Sequence, residues 1–317
     1  MDRKKIILDC DPGMDDSMAI VMAAKSPRLE LMAVTTVSGN YPVDVTCVNA
    51  RKMLELLGRT DIPVARGMAE PMFRAEPKDP FTHGADGQAE NFLPEPKLPL
   101  SEKHAVSLII DTVKQYPGEI YVICTGPMSN LAMALKLAPE IRPMIAGVYA
   151  ISGMFGLNQY AFANATGDTP QSEWNVYVDP EAASIVYHAG LPLTAIGLDV
   201  ATYFDVDFSE EDIRHFSESG RKEAKFLAQA IRFVRGRGYK AYCTVIDCMA
   251  VACVIDEGLI ETFDGRVGIE TKDGLTLGNT VVDYRHHHVW ETLPKVHIAK
   301  TADYRRFLSL LTELVLA

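Results

Sequence analysis

Four aspartates fall within eight residues near the start of the chain: Asp9, Asp11, Asp15 and Asp16, with Pro12-Gly13 between the pairs. Carboxylates this close repel one another unless something positive sits among them. A helix opening at Asp16-Ser17-Met18-Ala19 would offer partial positive charge at its N-terminus, and a divalent cation would offer far more. The donors are hard oxygens without the Cys or His set that suits zinc, so the residues themselves point to calcium or magnesium. One Asp near a turn is usually a helix cap or a solvated loop residue, but four at one strand end exceed that need. An EF-hand loop does not fit, because Gly13 stands where an oxygen ligand is required and Asp15-Asp16 breaks the spacing.

Such a cluster needs a scaffold, and the first 200 residues supply one by alternating short apolar runs with helical patterns. Ile6–Leu8, Leu31–Val37, Ile62–Val64, Ile120–Cys124, Val148–Ile151 and Leu193–Ile196 read as strands. Helices are expected at Asp16–Lys25, Val43–Leu57, Glu102–Gln115, Ser129–Leu137 and Pro180–Ala189, the last with Asp179 as N-cap and Pro180 at its first position. This alternation predicts an α/β fold: a mostly parallel open sheet with helices on both faces. Ligands of such sheets bind outside the carboxyl ends of the strands. The loops there carry Asp9–Asp16, Ser38-Gly39-Asn40, Thr125-Gly126-Pro127 and Gly153 onward.

Beyond Asp199 the pattern changes. Ser209 with Asp212 reads as a capping box opening a long helix toward Arg235, and a second helix is expected from Tyr242 to Ile255. Arg266–Glu270 and Leu275–Asp283 flank the turn signal Lys272-Asp273-Gly274, and a helix from Asp303 to Leu316 ends the chain. No repeat or Pro/Ser-rich linker interrupts the pattern, so residues 1–317 are expected to form a single domain with a helical, β-decorated C-terminal part. Gly67–Pro99, rich in Pro and Gly, reads as a long loop with functional potential.

Composition narrows the partner. A net charge of -11 disfavours nucleic-acid polymers and anionic membranes and favours a small substrate. Six scattered cysteines without a C-x-x-C pair read as reduced thiols of a cytoplasmic protein. The apolar run Ile6-Ile7-Leu8 is too short for a signal-peptide core, and no uncharged stretch approaches the roughly 20 residues of a membrane span.

The run Asp9-Cys10-Asp11-Pro12-Gly13-Met14-Asp15-Asp16-Ser17-Met18-Ala19 resembles the signature of the inosine-uridine nucleoside hydrolases. The likeness continues through Ser38-Gly39-Asn40, His83–Gly87, Thr125–Asn130, Glu173-Trp174-Asn175, Val178–Ala182 and Asp247 before Met249–Ala252. It implies hydrolysis of a ribonucleoside to ribose and free base, as in nucleoside salvage, by a calcium-bound water. Asp11, Asp16, Asp247 and the backbone carbonyl of Thr125 then match the calcium ligands, and Asp11 also matches the general base. Asp15, Asn40, Glu173 and Asn175 match groups that hold ribose hydroxyls, and Asp9 is read as support for the other carboxylates. The resemblance also suggests a homodimer or homotetramer. The residue types suit the reaction: C–N ribosyl cleavage passes through an oxocarbenium-like state that anionic groups stabilise, and buried hydroxyls need paired donors and acceptors.

Some positions depart from the pattern. One branch of the family places a histidine acid directly before the last calcium-binding aspartate, where this chain has Ile246. Leaving-group protonation is therefore expected from His83, from Tyr239 or Tyr242, or from none of them. The ribose-binding asparagine before Glu173 corresponds to Gly167 by strict spacing, or to Asn164 if the loop carries an insertion. Asn164 is preferred. Trp174, Phe162, Tyr239 and Tyr242 could stack on a base, although aromatics more often pack in cores. Arg235, Arg237 and Lys240 read as a solvated face, and His286-His287-His288 as a surface loop. Two other classes compete: a haloacid-dehalogenase-like phosphotransferase, whose second Asp is normally followed by Gly-Thr, and a non-catalytic nucleoside- or calcium-binding homologue, which would not need Asp11 as a base.

Overall fold

A computed structural model describes residues 3–75, 77 and 82–317. The expected loop Gly67–Pro99 therefore lies partly outside the described residues. Nine strands form one sheet: β1 (Lys4–Cys10), β2 (Leu29–Thr36), β3 (Val64–Arg66), β4 (Ile120–Cys124), β5 (Ile145–Ile151), β6 (Leu193–Ile196), β7 (Ile260–Ile269), β8 (Thr280–Asp283) and β9 (Lys295–Ala302). Their order is β3-β2-β1-β4-β5-β6-β9-β7-β8. The first seven in that order run parallel, while β7 pairs antiparallel with β9 and β8 antiparallel with β7.

β1 is flanked on both sides, and its residues alternate between two cores. Ile6, Leu8 and Cys10 face one, with α1 (Met14–Lys25) and α2 (Val43–Leu56). Ile7 faces the other, with α3 (Ala105–Gln115) and α4 (Ser129–Leu137). This explains the continuous apolar run with no polar face. The chain leaves β1 toward β2 and β3 on one side and returns to place β4 on the other, so strand order reverses between β1 and β4. That switch point is where open α/β sheets bind ligands. Asp9 pairs with Cys124 across it, and Thr125 N–H donates to the Asp9 carbonyl at 2.9 Å.

The remaining helices are α5 (Gln159–Ala163), α6 (Trp174–Val178), α7 (Pro180–Tyr187), α8 (Leu198–Ala201), α9 (Glu210–Glu218), α10 (Lys222–Gly236), α11 (Cys248–Ile255) and α12 (Tyr304–Leu316). Asp179 caps α7 through the Ala182 N–H, and Ser209 and Asp212 form the expected capping box of α9. The single helix expected from Ser209 toward Arg235 is instead two, because Ser219 and Arg221 are extended around Gly220, a poor helix former. The helix expected from Tyr242 begins only at Cys248, after a 3-10 turn at Ala241–Thr244. The hairpin turn stands where expected, but its second strand starts at Thr280 rather than Leu275. Strand β9 is an addition to the sequence reading. Lys295, His297 and Lys300 make it look like loop, yet Val296 and Ile298 bury beside β6. Among the described residues no helix is long and apolar enough to cross a membrane.

Candidate active site

The acids at the switch point are held by residues of the neighbouring strands, helices and loops. Asp9 is fully buried, and its Oδ1 accepts from Thr35 Oγ1 at 2.6 Å and Asn130 Nδ2 at 2.8 Å. Burial pushes its carboxyl up to about 6. Asp11 is also buried, with Oδ2 accepting from the Asn40 N–H at 2.6 Å, while Oδ1 has no hydrogen-bond partner. Burial, then the charge of Asp16, holds Asp11 well above the ordinary carboxylate range. Asp16, in the first turn of α1, accepts from Thr125 Oγ1 at 2.7 Å and from the Gly13 N–H at 3.0 Å; burial and Asp15 push it up to about 6. Asp247 precedes α11 and is raised by burial and by Asp15, Asp16 and Asp11 in turn.

Carboxylate oxygens of Asp15, Asp16 and Asp247 lie within 4.8 Å of one another. The N-termini of α1 and α11 thus deliver acids from opposite ends of the chain to one point. Mutually raised carboxylates, an orphaned Asp11 oxygen and an all-oxygen donor set fit a hard divalent cation. The tight trio contains Asp15 in place of Asp11. The Thr125 carbonyl accepts from Asn175 Nδ2 at 2.7 Å. The role of the Thr125 hydroxyl escapes sequence reasoning, which singled out only its carbonyl.

Above the acids opens a cavity of about 450 Å³. Asp15, Asn40, Thr125, Glu173, Asn175 and Asp247 line it, with Asp11 and Asp16 buried behind. Glu173 caps α6: Oε1 accepts from Asn175 N–H at 2.8 Å, and Oε2 from Val176 N–H at 3.1 Å and Gly153 N–H at 3.2 Å. Burial nevertheless lifts it to about 7. Asn164 lines the cavity and donates to Thr202 Oγ1 at 3.3 Å. Gly167 does not line it; it packs against Ser172, so of the two candidates Asn164 is the one that faces the cavity.

His83 is brought in by its glycine-bounded loop. Its ring lies on Gly13, where a Cβ would come 2.6 Å from Nδ1. Nδ1 accepts from the Met14 N–H at 3.3 Å and lies 3.6 Å from Asp15 Oδ1. With Nδ1 accepting, Nε2 is the proton-bearing nitrogen of the neutral ring. Ile246, Trp174, Tyr239 and Tyr242 also line the cavity, whereas Phe162 does not. Thr166, Thr202 and Cys243 line it too; no motif marks them. Burial, then Asp15, pushes the Cys243 thiol up to about 12 and keeps it neutral. Among the described residues no Lys or Arg lines the cavity. Arg235 pairs with Glu210, Arg237 lies over the Phe233 ring, and His286, His287 and His288 are exposed.

A buried acid cluster at the sheet's switch point, facing a cavity lined by acids, amides and apolar side chains, marks the candidate site of an α/β protein for a small ligand. The sequence model of the inosine-uridine preferring nucleoside hydrolases matches residues 6–309, and the chain belongs to that family. It is 34% identical to the pyrimidine-specific ribonucleoside hydrolase RihA of Citrobacter koseri, over 97% of this chain and 96% of that protein. It is 31% identical to probable uridine nucleosidase 1 of Oryza sativa subsp. japonica, over 99% and 97%. Among solved structures, the plant nucleoside hydrolase PpNRh1 superposes with a TM-score of 0.87 at 30% identity, covering 99% of each chain. The purine-preferring ribonucleoside hydrolase from Gardnerella vaginalis gives 0.84 at 29%, covering 98% of each. The chain is thus an enzyme of the ribonucleoside hydrolase class, which sets aside the phosphotransferase reading.

Proposed function

We propose that this chain hydrolyses the N-glycosidic bond of ribonucleosides with calcium held by Asp11, Asp16, Asp247 and the Thr125 carbonyl, and with Asp11 as general base. The observation that carries the reading is the convergence of buried, mutually raised carboxylates under a cavity free of Lys and Arg among the described residues. When bound, the cation would offset these charges and acidify an adjacent water. Asp11 is suited to take that water's proton: Asn40 fixes Oδ2, and Oδ1 has its lone pairs free. The water oxygen bonds to the ribosyl carbon as the C–N bond breaks, and the anionic surroundings stabilise the positive charge that develops.

Asp15, Asn40, Asn164, Glu173 and Asn175 hold the ribose hydroxyls, and Trp174, Tyr239 and Tyr242 give the base aromatic surface. His83 supplies the proton to the departing nitrogen, the task Ile246 cannot perform. Six free cysteines fit a reducing, cytoplasmic setting, and release of free base and ribose fits nucleoside salvage.

The test is a reducing-sugar assay with calcium on uridine, cytidine, inosine, adenosine and their 2′-deoxy counterparts. Ribose release is expected, with deoxyribosides at least ~10-fold slower because buried hydroxyl partners are left empty. Comparable turnover of a riboside and its deoxy form, or no sugar release from any, contradicts the proposal.

A further inference from the structure

Thr280 stands at the start of β8, the outermost strand, four places from β5 in the sheet. It does not line the cavity, yet its hydroxyl is buried against the loop that leaves β5. Thr280 Oγ1 accepts from the Met154 N–H at 2.8 Å and donates to the Met154 carbonyl at 2.7 Å. One hydroxyl thereby satisfies both backbone groups of a buried residue. The preceding residue, Gly153, has φ +88° and donates its N–H to Glu173 Oε2; a Cβ there would lie 3.1 Å from Thr280 Oγ1 and Cγ2.

The reach across the sheet is possible because the β7–β8 turn folds back over the segment that carries Glu173. Thr169 Oγ1 donates to the Leu277 carbonyl at 2.7 Å, and Asn279 Nδ2 to Gln171 Oε1 at 3.1 Å. Gly278 sits against Tyr177, where a Cβ would come 2.9 Å from the Tyr177 Cα. The inner side of the same loop is tied down separately: Leu198 N–H donates to the Gly153 carbonyl, and Asp199 accepts from Phe155 and Leu157 N–H.

From this arrangement we infer that Thr280 is a positioning residue for ribose recognition: the edge hairpin, through Met154 and Gly153, sets the direction in which the Glu173 carboxylate faces the cavity. The inference rests on the reading of Glu173 as a holder of a ribose hydroxyl. Thr280→Val keeps the shape but removes both hydrogen bonds, so Met154 must find other partners and the Gly153 N–H shifts. Glu173 is read as a contact made alike in the ground and transition states, and the loss of such uniform binding appears in KM with kcat unchanged.

The experiment measures kcat and KM of wild type, Thr280→Val and Thr280→Ser with calcium on the best riboside, alongside thermal melting. Thr280→Val is expected to raise KM about tenfold with kcat within about twofold of wild type. Thr280→Ser, which retains the hydroxyl, is expected to restore KM. An unchanged KM in Thr280→Val, or a loss confined to kcat that tracks the melting temperature, overturns the inference and leaves Thr280 a packing residue. If Thr280→Val does not fold, Thr280→Ala takes its place, and equal KM in the Ala and Ser variants overturns the inference. Absence of ribose release by the wild type refutes the underlying functional reading instead.

Discussion

Gly39 lies against the Asp11 carboxylate so closely that no side chain fits between them: a Cβ there would overlap Oδ2 and come 2.8 Å from Pro127 Cδ. The next residue, Asn40, donates its N–H to that same oxygen at 2.6 Å. The glycine permits the approach and the amide fixes the carboxylate. Gly39→Ala should displace Asp11 and lower turnover by roughly 10²-fold, since misplacement by about 1 Å costs that much, while overpacking lowers stability by about 1–3 kcal/mol. Steady-state kinetics and thermal melting check both, and wild-type turnover in this variant would mean that Asp11 does not act from this position.

The roles assigned to Asp16 and Asp11 separate in two variants. Asp16→Ala removes a hard oxygen and leaves Asp15 and Asp247 repelling each other, so calorimetry should show weakened calcium binding. Asp11→Asn keeps an oxygen but loses the base; turnover should fall by ~10²–10⁴-fold while a riboside still binds. Unchanged calcium affinity in the first, or retained turnover in the second, contradicts the assignment.

Asp9 and Asp16, both raised to about 6, and Glu173, raised to about 7, lie above the usual carboxylate values of about 4. Their contribution to stability is fully present below those usual values and is lost as pH rises through about 6 to 7. The depressed acids Asp61, Glu140, Asp264 and Asp283 are ionised in both states above pH 5.5 and add no slope there. The chelator-treated protein should therefore melt at a lower temperature at pH 8 than at pH 5.5, and calcium should remove the part of the difference due to Asp16 while leaving the part due to Asp9 and Glu173. A melting temperature that rises over this range in chelator would show that burial does not oppose ionisation of these acids.

His83→Ala should slow natural nucleosides by ~10²–10⁴-fold, the usual contribution of a positioned acid. It should scarcely affect p-nitrophenyl riboside, whose phenolate leaves without a proton. Equal losses on both substrates would make His83 a support for its neighbours Gly13 and Asp15, and no loss on either would make it structural.

The parallel sheet was legible because β1, β4 and β6 are largely buried on both faces and read as short, mostly apolar runs flanked by helical periods. Asp15, Asn40 and Thr125 were legible because they stand at or just beyond the carboxyl ends of β1, β2 and β4, whereas Glu173, Asn175 and Asp247 lie at helix N-termini and were marked only by the family motifs. Strand β9 was not, since its exposed Lys295 and His297 and the neighbouring Pro294 hide an interior strand that forms only by pairing with β6 and β7. The break at Gly220 rests on one poor helix former inside an otherwise helical pattern, and the late start of α11 on the 3-10 turn at Ala241–Thr244 that precedes it. Cys243, Thr166 and Thr202 reach the cavity only through that packing and carry no local signal.

The most direct measurement of the central claim is ribose release from the best riboside by one preparation in three states: as purified, freed of divalent cations by chelator, and resupplied with calcium. Release is expected to stop on chelation and to return on calcium addition, in step with calcium occupancy measured on the same samples. Undiminished release from protein shown by elemental analysis to hold no divalent cation would contradict it.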